Sequence, residues 1–506
     1  MVPRFKKILI SNRGEIAVRI ARACRELGIT SVAVYSEADR RSAHVRACDE
    51  AYFIGAAPSS ESYLNGKKIL EVARQAGVDA IHPGYGFLSE RAWFARLCQE
   101  AGFVFIGPPA DAIDQMGDKL VARRLMVAAG VPVVPGTVEP IRDEEEVKKV
   151  AREVGYPVML KASAGGGGKG MRKVDSEEDL ESALRSAKGE AARSFGDDAV
   201  YLEKFVTEPR HVEVQVFADS HGGCVYLGER DCSVQRRNQK VIEESPCPIL
   251  RPEVRKAMGD VAVRAARAVG YVGAGTIEFL LDRDQNFYFM EMNTRLQVEH
   301  SVTELVFGQD LVHLQIRAAM GEPLPFTQED LHSRGAAIEC RIYAEDPSNN
   351  FAPSPGPIQI LHEPSGPWIR LDSGIYPGAV IPIFYDPMIS KLTVWGANRE
   401  EAIERMKRAL NEYIIAPIRH NIDFHLRVMD NAKFRSGRYT TAFIAEEHET
   451  LLGDTAISDD DELTAMIAAA IAHHRAELAA PPPSLPSTSS AGSPTSLWRW
   501  ADRLGH

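Results

Sequence analysis

The sequence of 506 residues lacks the features that mark several common classes of protein. Its seven cysteines are scattered and form no CxxC pair, so neither a disulfide framework nor a structural zinc site is indicated, and a reduced, cytoplasmic compartment is expected. No apolar run approaches the length of a membrane span, and polar Ser11 and Asn12 follow the basic start too early for a signal peptide. The formal net charge of −11 argues against a protein that binds nucleic acid.

The N-terminal part has the pattern of an α/β fold with a parallel sheet. Apolar runs at 7–11 and 31–35 flank a segment at 15–27 whose apolar residues keep helical spacing, which predicts a β-α-β opening. No GxGxxG fingerprint follows the first run, so a nicotinamide site is not expected. A glycine-broken loop from His82 to Glu90 follows a later strand, at the end where ligands bind in open α/β sheets. A tight turn without a ligand is an equal alternative for that loop.

A glycine-rich segment follows a predicted strand at 156–162. The strand ends at Lys161 and continues into SAGGGGKGMR, in which Lys169 and Arg172 flank the glycines. Backbone N–H groups without side chains around them suit phosphate oxygens. The segment is not a Walker A loop, because neither Ser nor Thr follows its GK pair. We favour a phosphate-binding loop over a flexible linker.

Further along, basic residues concentrate in one short loop. Arg230, Arg236, Arg237 and Lys240 lie within eleven positions of an otherwise acidic protein. Such a local cluster predicts an anionic ligand more readily than a random solvated face.

Two strands at 276–281 and 287–293 predict a β-hairpin with a candidate metal site. If the turn is centred between Asp284 and Gln285, Glu278 lies directly opposite Glu291. Two facing carboxylates repel each other, and a divalent cation such as Mg²⁺ removes that repulsion. Asn293 lies on the same face as Glu291 and can supply a further oxygen. The alternative is a surface hairpin with scattered charges, which periodicity cannot exclude.

The last part of the chain differs in character. An acidic start at 458–461 predicts a helix to about residue 478, and a Pro/Ser-rich stretch follows that cannot build a core. We expect this tail to be non-catalytic, and it is a candidate contact for partner proteins.

Six motifs together resemble one known family. They are, in chain order, SNRGEIAVRIARACRELGI, HPGYGFLSE, MGDK, KASAGGGGKGMR, RDCSVQRRNQK and EMNTRLQVEH. In this order and spacing they resemble biotin carboxylase, the ATP-grasp component of biotin-dependent carboxylases, over residues 5–452. The resemblance implies an α/β fold, α+β in its C-terminal part, with four segments. These are an N-terminal domain (1–116), an ATP-grasp domain (117–332) with a mobile lid (about 133–205), a C-terminal domain (333–452) and the tail (453–506).

The resemblance also implies roles for individual residues. Glu278 and Glu291, with Asn293, are expected to hold Mg²⁺ or Mn²⁺, and Glu299 is expected to be the base that deprotonates bicarbonate. Arg295 is expected to stabilise the reacting anions and Arg341 the biotin enolate. Bicarbonate is expected to lie against Lys240, Arg295, Gln297 and the Val298 backbone. The residues expected to bind ATP are Lys119, Lys161, Gly165, Gly166, Gly167, Gly168, Glu203, Lys204, Val206, His211, Gln235, Asn238, Glu278 and Glu291.

Two positions depart from the family pattern. Asn238 stands where many biotin carboxylases have His near the ribose, and an amide can donate a hydrogen bond but cannot become cationic. Ala164 replaces a glycine before the four-glycine run. Neither position touches the expected bicarbonate site, so we expect the chemistry to persist while the affinity for the nucleotide differs.

Partners follow from what the sequence does not contain. It has no AMKM-type biotinyl-lysine motif, and no length for a carboxyltransferase domain. The expected partners are therefore a separate biotin carboxyl carrier protein and carboxyltransferase subunits, with a homodimer expected from the family and neither nucleic acid nor membrane. The sequence does not indicate which acyl-CoA or oxo acid is carboxylated. The rival hypotheses are another ATP-grasp ligase, such as a carbamoyl-phosphate-forming enzyme, and a non-catalytic nucleotide-binding protein.

Overall fold

The computed structural model describes residues 5–137, 139–141, 144–162, 171–196, 198–453, 466–471 and 474–475. The chain divides into two compact units, Met1–Gly453 and Asp454–His506, and every element numbered below lies in the first. Residues 466–471 and 474–475, inside the predicted tail helix, are helical. The glycines at 165–168 and Ala164 lie outside the described residues. Among the helices that are described, none combines the length and the apolar composition needed to cross a bilayer.

The N-terminal part forms a five-stranded parallel sheet, which confirms the predicted β-α-β opening. The first strand is fully buried at Ile8, Leu9 and Ile10, and the following helix covers it with Ile16 and Ile20. The elements are β1 (Lys7–Ile10), α1 (Gly14–Glu26), β2 (Thr30–Ser36), α2 (Ala43–Ala47), β3 (Glu50–Gly55), α3 (Gly66–Ala76), β4 (Ala80–His82), α4 (Ala92–Glu100), β5 (Val104–Phe105), α5 (Ala110–Gly117) and α6 (Lys119–Ala128). The strand order β3-β2-β1-β4-β5 reverses direction between β1 and β4, so the loops after these two strands meet at the edge where ligands bind.

A small three-stranded antiparallel sheet follows, with its own hydrophobic core. Its elements are α7 (Glu144–Val154), β6 (Val158–Ala162), β7 (Met171–Val174), α8 (Glu177–Phe195) and β8 (Val200–Lys204). The preceding connector contacts this sheet where Gly136 bridges Glu203. A Cβ at Gly136 would lie 2.1 Å from the carbonyl oxygen of Leu202, so only glycine fits this approach. The connector is thereby fixed to the strand that carries Glu203.

The largest sheet has eight strands and runs through the middle of the first unit. Its order is β13-β12-β9-β10-β11-β14-β21-β19, and all neighbouring strands are antiparallel. The elements of this part are β9 (Arg210–Ala218), β10 (Cys224–Arg236), β11 (Gln239–Ser245), α9 (Pro252–Ala268), β12 (Gly273–Leu281), β13 (Phe287–Asn293), α10 (His300–Phe307), α11 (Leu311–Ala319), β14 (Ala336–Tyr343), β15 (Glu345–Asp346), β16 (Ala352–Pro353), β17 (Gly356–Pro357), β18 (Ile360–His362), β19 (Ile369–Ser373), β20 (Val380–Ile381), β21 (Met388–Gly396), α12 (Arg399–Glu412), β22 (Ile414–Ala416), α13 (Ile422–Asp430), α14 (Ala432–Arg435), α15 (Phe443–Glu446) and α16 (His448–Leu452).

The hairpin of β12 and β13 places Glu278 opposite Glu291, as predicted. The predicted centre of its turn is wrong, because the pairs next to the turn, Leu281 with Phe287 and Phe279 with Phe289, are centred on Asp284. A one-residue bulge at Met290 shifts the register by one position and brings the two glutamates together.

Candidate active site

The ammonium of Lys240 lies at the centre of a buried charged cluster on one face of the large sheet. Lys240 is the second residue of β11. Its Nζ lies 2.5 Å from a carboxylate oxygen of Glu213, 2.8 Å from one of Glu278 and 2.7 Å from one of Glu299. These carboxylates come from β9, β12 and the residue before α10. An ammonium has three N–H donors, and each finds one carboxylate oxygen. The sheet therefore assembles a site from segments that are far apart in sequence.

Two arginines balance the remaining negative charge of this cluster. Arg230 is fully buried and donates to Glu213 at 2.5 Å, and its other nitrogens are bonded to neutral side chains. Arg341 donates to Glu299 at 2.9 Å and to Glu243 at 2.6 Å. Buried charges of this kind persist only when they are paired and hydrogen-bonded.

Glu213 and Glu243 belong to the site but were not predicted from the sequence. The signal was present for Glu213: His211, Glu213 and Gln215 alternate with valines in β9, so a polar row faces one side of a strand whose other side is apolar. Such a row inside a buried strand indicates a polar site. Glu243 follows two apolar residues and precedes Glu244, so no such alternation marks it.

The pKa values in the cluster depart from their usual range, and each shift has a clear cause. Burial raises the pKa of Glu299, but Lys240 and Arg341 outweigh burial and hold it well below its usual range. Burial lowers the pKa of Lys240, but Glu213, Glu278 and Glu299 raise it well above its usual range. Burial raises the pKa of Glu243 to about 8, because Arg341 offsets only part of the desolvation cost. Arg341 therefore joins an ionised carboxylate to a carboxyl group that is neutral below about pH 8.

Arg295 lies at the open edge of the cluster, where it donates to three side chains and to the carbonyl oxygen of Leu296. It donates to Glu90 at 2.8 Å, to the side-chain oxygen of Gln297 at 2.8 Å and to that of Asn293 at 3.0 Å. Glu90 also accepts from the backbone N–H of Thr294 at 3.0 Å. The loop from His82 to Glu90 thus positions Arg295, a role that the sequence analysis did not foresee.

The predicted metal ligands lie together. Glu278 faces Glu291 across the hairpin, accepts from the amide of Asn293 at 2.8 Å and lies 3.1 Å from Nε2 of His211. Burial, with Glu278 as the next cause, raises the pKa of Glu291. Against burial, Lys240 and His211 hold the pKa of Glu278 itself below its usual range, so an ionised carboxylate faces Glu291. Facing carboxylates are a donor set that a divalent cation favours, so these residues fit Mg²⁺ or Mn²⁺.

The predicted nucleotide-binding residues are only partly gathered. Lys161 lies 2.5 Å from one carboxylate oxygen of Glu203, and the other oxygen accepts from Arg123 at 2.8 Å. Lys119, at the start of α6, lies close enough to Glu291 to offset part of the rise that burial causes in the pKa of Glu291. Arg123 was missed by the sequence analysis. The ammonium of Lys204 donates instead to the carbonyl oxygens of Gly155 at 2.7 Å and Tyr156 at 3.0 Å, so this side chain binds the small sheet's own backbone. Val206 and Gln235 are half-buried.

The predicted grouping of four basic residues in one neighbourhood is wrong in part. Arg230 and Lys240 belong to the buried cluster, but Arg236 pairs with Glu345 and Arg237 with Asn350. Arg236 lies at the far end of β10, six positions after Arg230, and Arg237 lies in the turn that follows, so both are distant from the buried cluster along the strand. Arg237 and Asn238 form the two-residue turn between β10 and β11, where both have positive φ and are exposed.

Three comparisons with known proteins agree with one another. Family profiles match as the biotin carboxylase N-terminal domain over 4–113, the carbamoyl-phosphate synthase L chain ATP-binding domain over 118–327 and the biotin carboxylase C-terminal domain over 339–446. Biotin carboxylase 1 of Bacillus subtilis is 56% identical over 441 residues, which are 87% of this chain and 98% of that protein. The alpha subunit of mitochondrial methylcrotonoyl-CoA carboxylase of Mus musculus is 54% identical over 88% of this chain, which spans only 62% of that longer protein.

Among solved structures, the chain is similar to the biotin carboxylase domain dimer of Hydrogenobacter thermophilus 2-oxoglutarate carboxylase in complex with MgADP, ADP and bicarbonate. The TM-score is 0.84 at 47% identity, and the match covers 90% of this chain and all of that one.

The buried and exposed arginines of the β10–β11 hairpin offer a matched test of the cluster. We expect Arg230→Met to lose roughly 3–5 kcal/mol of stability, because one oxygen of the buried Glu213 loses its cationic partner and only the contact with Lys240 remains. Arg237→Met, the same change at the exposed turn, should stay within about 0.5 kcal/mol of the wild type. Thermal and urea unfolding of both variants measures the difference. Equal stability of the two variants would contradict the assigned charge network.

Proposed function

Because the chain belongs to the biotin carboxylase family, we propose that its buried cluster performs the ATP-dependent carboxylation of biotin by bicarbonate with the residues assigned below. This reaction is the first half-reaction of biotin-dependent carboxylases. The observation that carries the assignment is the contact of Glu299 with both Lys240 and Arg341 at 2.7 and 2.9 Å. One carboxylate is thus placed between the group proposed to hold bicarbonate and the group proposed to hold biotin.

Bicarbonate is proposed to bind between Lys240 and Arg295, against Gln297 and the Val298 backbone, with Glu299 as its base. A carboxylate whose pKa is held well below its usual range is a weak base in the empty site. The cations of the site also stabilise the doubly charged carbonate that deprotonation produces, which offsets this weakness. The proton moves from the bicarbonate hydroxyl to a carboxylate oxygen of Glu299.

The nucleotide is proposed to lie between the small sheet and the large sheet. Lys119 and Lys161 neutralise phosphate charge, and Glu278 and Glu291, with Asn293, would hold Mg²⁺ or Mn²⁺. A bound divalent cation supplies neutralisation of the phosphate oxygens during transfer. The deprotonated bicarbonate oxygen attacks the γ-phosphorus, the bond to the β-phosphate oxygen breaks, and ADP and carboxyphosphate form.

The second step transfers the carboxyl group to biotin. Carboxyphosphate divides into CO₂ and phosphate, the phosphate takes the ureido N–H proton of biotin, and the resulting enolate attacks CO₂. Arg341 is proposed to hold the enolate oxygen. Because Arg341 already joins Glu243 and Glu299, its guanidinium is preorganised for an anion at this position.

The organisation around this site is part of the same proposal. We propose four segments, 1–116, 117–332 with a lid at about 133–205, 333–452 and 453–506. Biotin is carried by a separate carrier protein, carboxyltransferase subunits complete the reaction, the enzyme acts as a homodimer, and its compartment is the cytoplasm. The dimeric state of the similar Hydrogenobacter domain supports the homodimer.

The carbamoyl-phosphate-forming alternative shares the ATP-binding profile but not the two flanking ones. A non-catalytic role is disfavoured because a buried cluster of charged groups with strongly shifted pKa values is typical of a functional site.

The direct test of this function is ADP release from MgATP and bicarbonate, with and without free biotin. We expect biotin to stimulate ADP release in the wild type, and Glu299→Gln to abolish the stimulation because the amide cannot accept the proton. Glu412→Gln, at the partly exposed C-terminal end of α12, is the control and should retain wild-type rates. Turnover that needs bicarbonate but ignores biotin would instead indicate another acyl-phosphate ligase.

A second prediction concerns Arg341. Arg341→Ala should reduce biotin carboxylation by about 10²- to 10³-fold, as expected for the loss of a charge-stabilising contact in the transition state. Arg408→Ala, at an exposed position of α12, should leave the rate unchanged. Rates of carboxybiotin formation measure both. Unchanged biotin turnover in Arg341→Ala would refute the role given to this residue.

A further inference from the structure

Behind the segment of Gln297, Val298 and Glu299 lies a fully buried lysine that the reaction scheme does not use. Lys391 is on β21, opposite Arg341 on β14, and no part of it is exposed. Its Nζ donates to the carbonyl oxygen of Val298 at 2.7 Å. Carboxylate oxygens of Glu15 and Asp372, two residues far apart in sequence, each lie 3.6 Å away.

These carboxylates belong to a second set of charges, which we call the ionic layer and which is buried except for the half-buried Arg370. Its members are Glu15, Arg19, Glu304, Arg370, Asp372 and Lys391. Within it, Glu304 accepts from Arg19 at 3.0 Å and also from Arg370, and Arg370 donates to Asp372 at 2.8 Å. The layer joins α1 of the first sheet, α10 after the active-site segment, and β19 and β21 of the large sheet. It therefore fixes three parts of the first unit to one another.

Lys391 connects this layer to the active-site backbone. The Val298 carbonyl belongs to the peptide group that joins Val298 to Glu299, so a bond to it fixes the rotation of that peptide. On the other side of the segment, the ring of His300 bonds the carbonyl oxygen of Gln297 at 2.8 Å. With both carbonyls held, the Val298 N–H and the Glu299 carboxylate keep a defined relative position.

We propose that Lys391 is a positioning residue for the bicarbonate site, acting through the Val298–Glu299 peptide. The inference rests on the proposed function, in which Val298 and Glu299 contact bicarbonate. The positive charge of Lys391 is retained in the interior because the carboxylate of Asp372, whose pKa is held below its usual range by Arg370 and Lys391 against burial, lies 3.6 Å away. The position of Lys391 is set by β21 rather than by the active-site segment itself. A small displacement of residues 297–299 moves the Val298 N–H and the Glu299 carboxylate together, and such a misalignment of reacting groups lowers the rate of the reaction.

The test compares two variants by steady-state kinetics with free biotin. Lys391→Met retains the length and apolar stem but cannot hold the carbonyl, and we expect the KM for bicarbonate to rise about 10-fold or more while the KM for MgATP stays within about twofold. Arg370→Met removes a charge from the same ionic layer without touching Val298. It should lower the thermal midpoint but leave the KM for bicarbonate unchanged.

Lys391→Gln keeps an N–H donor with a shorter reach, and its KM for bicarbonate should lie between those of the wild type and Lys391→Met. If Lys391→Met does not fold, the KM for bicarbonate of Lys391→Gln serves as the test in its place. A variant that loses kcat and stability while its KM for bicarbonate stays at the wild-type value would overturn the inference, since that is the result of a purely structural role. Absence of bicarbonate-dependent turnover in the wild type would instead overturn the proposed function.

Discussion

The contact of one buried ammonium with three carboxylates determines the organisation of this protein. Lys240 alone cannot neutralise Glu213, Glu278 and Glu299, so the structure adds Arg230 on one side and Arg341 on the other. Each of these charges is costly to remove from water unless its partners are in place. The sheet, the helices that cover it and the loops at its edge must therefore assemble around the cluster as a unit.

This constraint also explains the shape of the site. Strands β9, β11, β12 and β14 each contribute residues to one face, so the distances are set by the hydrogen-bonded ladder rather than by mobile loops. The open side is completed by a loop of the first sheet, through Glu90 and Arg295, and the rear by Lys391 and the ionic layer. A small anion entering between Lys240 and Arg295 meets groups that are already oriented, so little reorganisation is needed during the reaction.

Local patterns in the sequence predicted the parts of the site that are close along the chain. Facing strands placed Glu278 opposite Glu291, although the bulge at Met290 that produces this register leaves no clear pattern. The partners of Lys240 and Arg295 could not be paired in this way, because Glu90 lies 205 positions before Arg295 and only the tertiary fold brings them together. Arg236 and Arg237 show the opposite error, since residues close to Arg230 in sequence lie at the end of the hairpin and in its turn, away from the cluster.

The central claim is that this cluster attaches the carbon of bicarbonate to biotin. The most direct measurement incubates the protein with MgATP, ¹⁴C-labelled bicarbonate and a biotinylated carrier domain, and follows acid-labile label on the carrier. We expect acid-labile ¹⁴C on the carrier that requires both ATP and the biotin group, in an amount equal to the ADP released. ADP release with no label on the carrier would contradict the central claim.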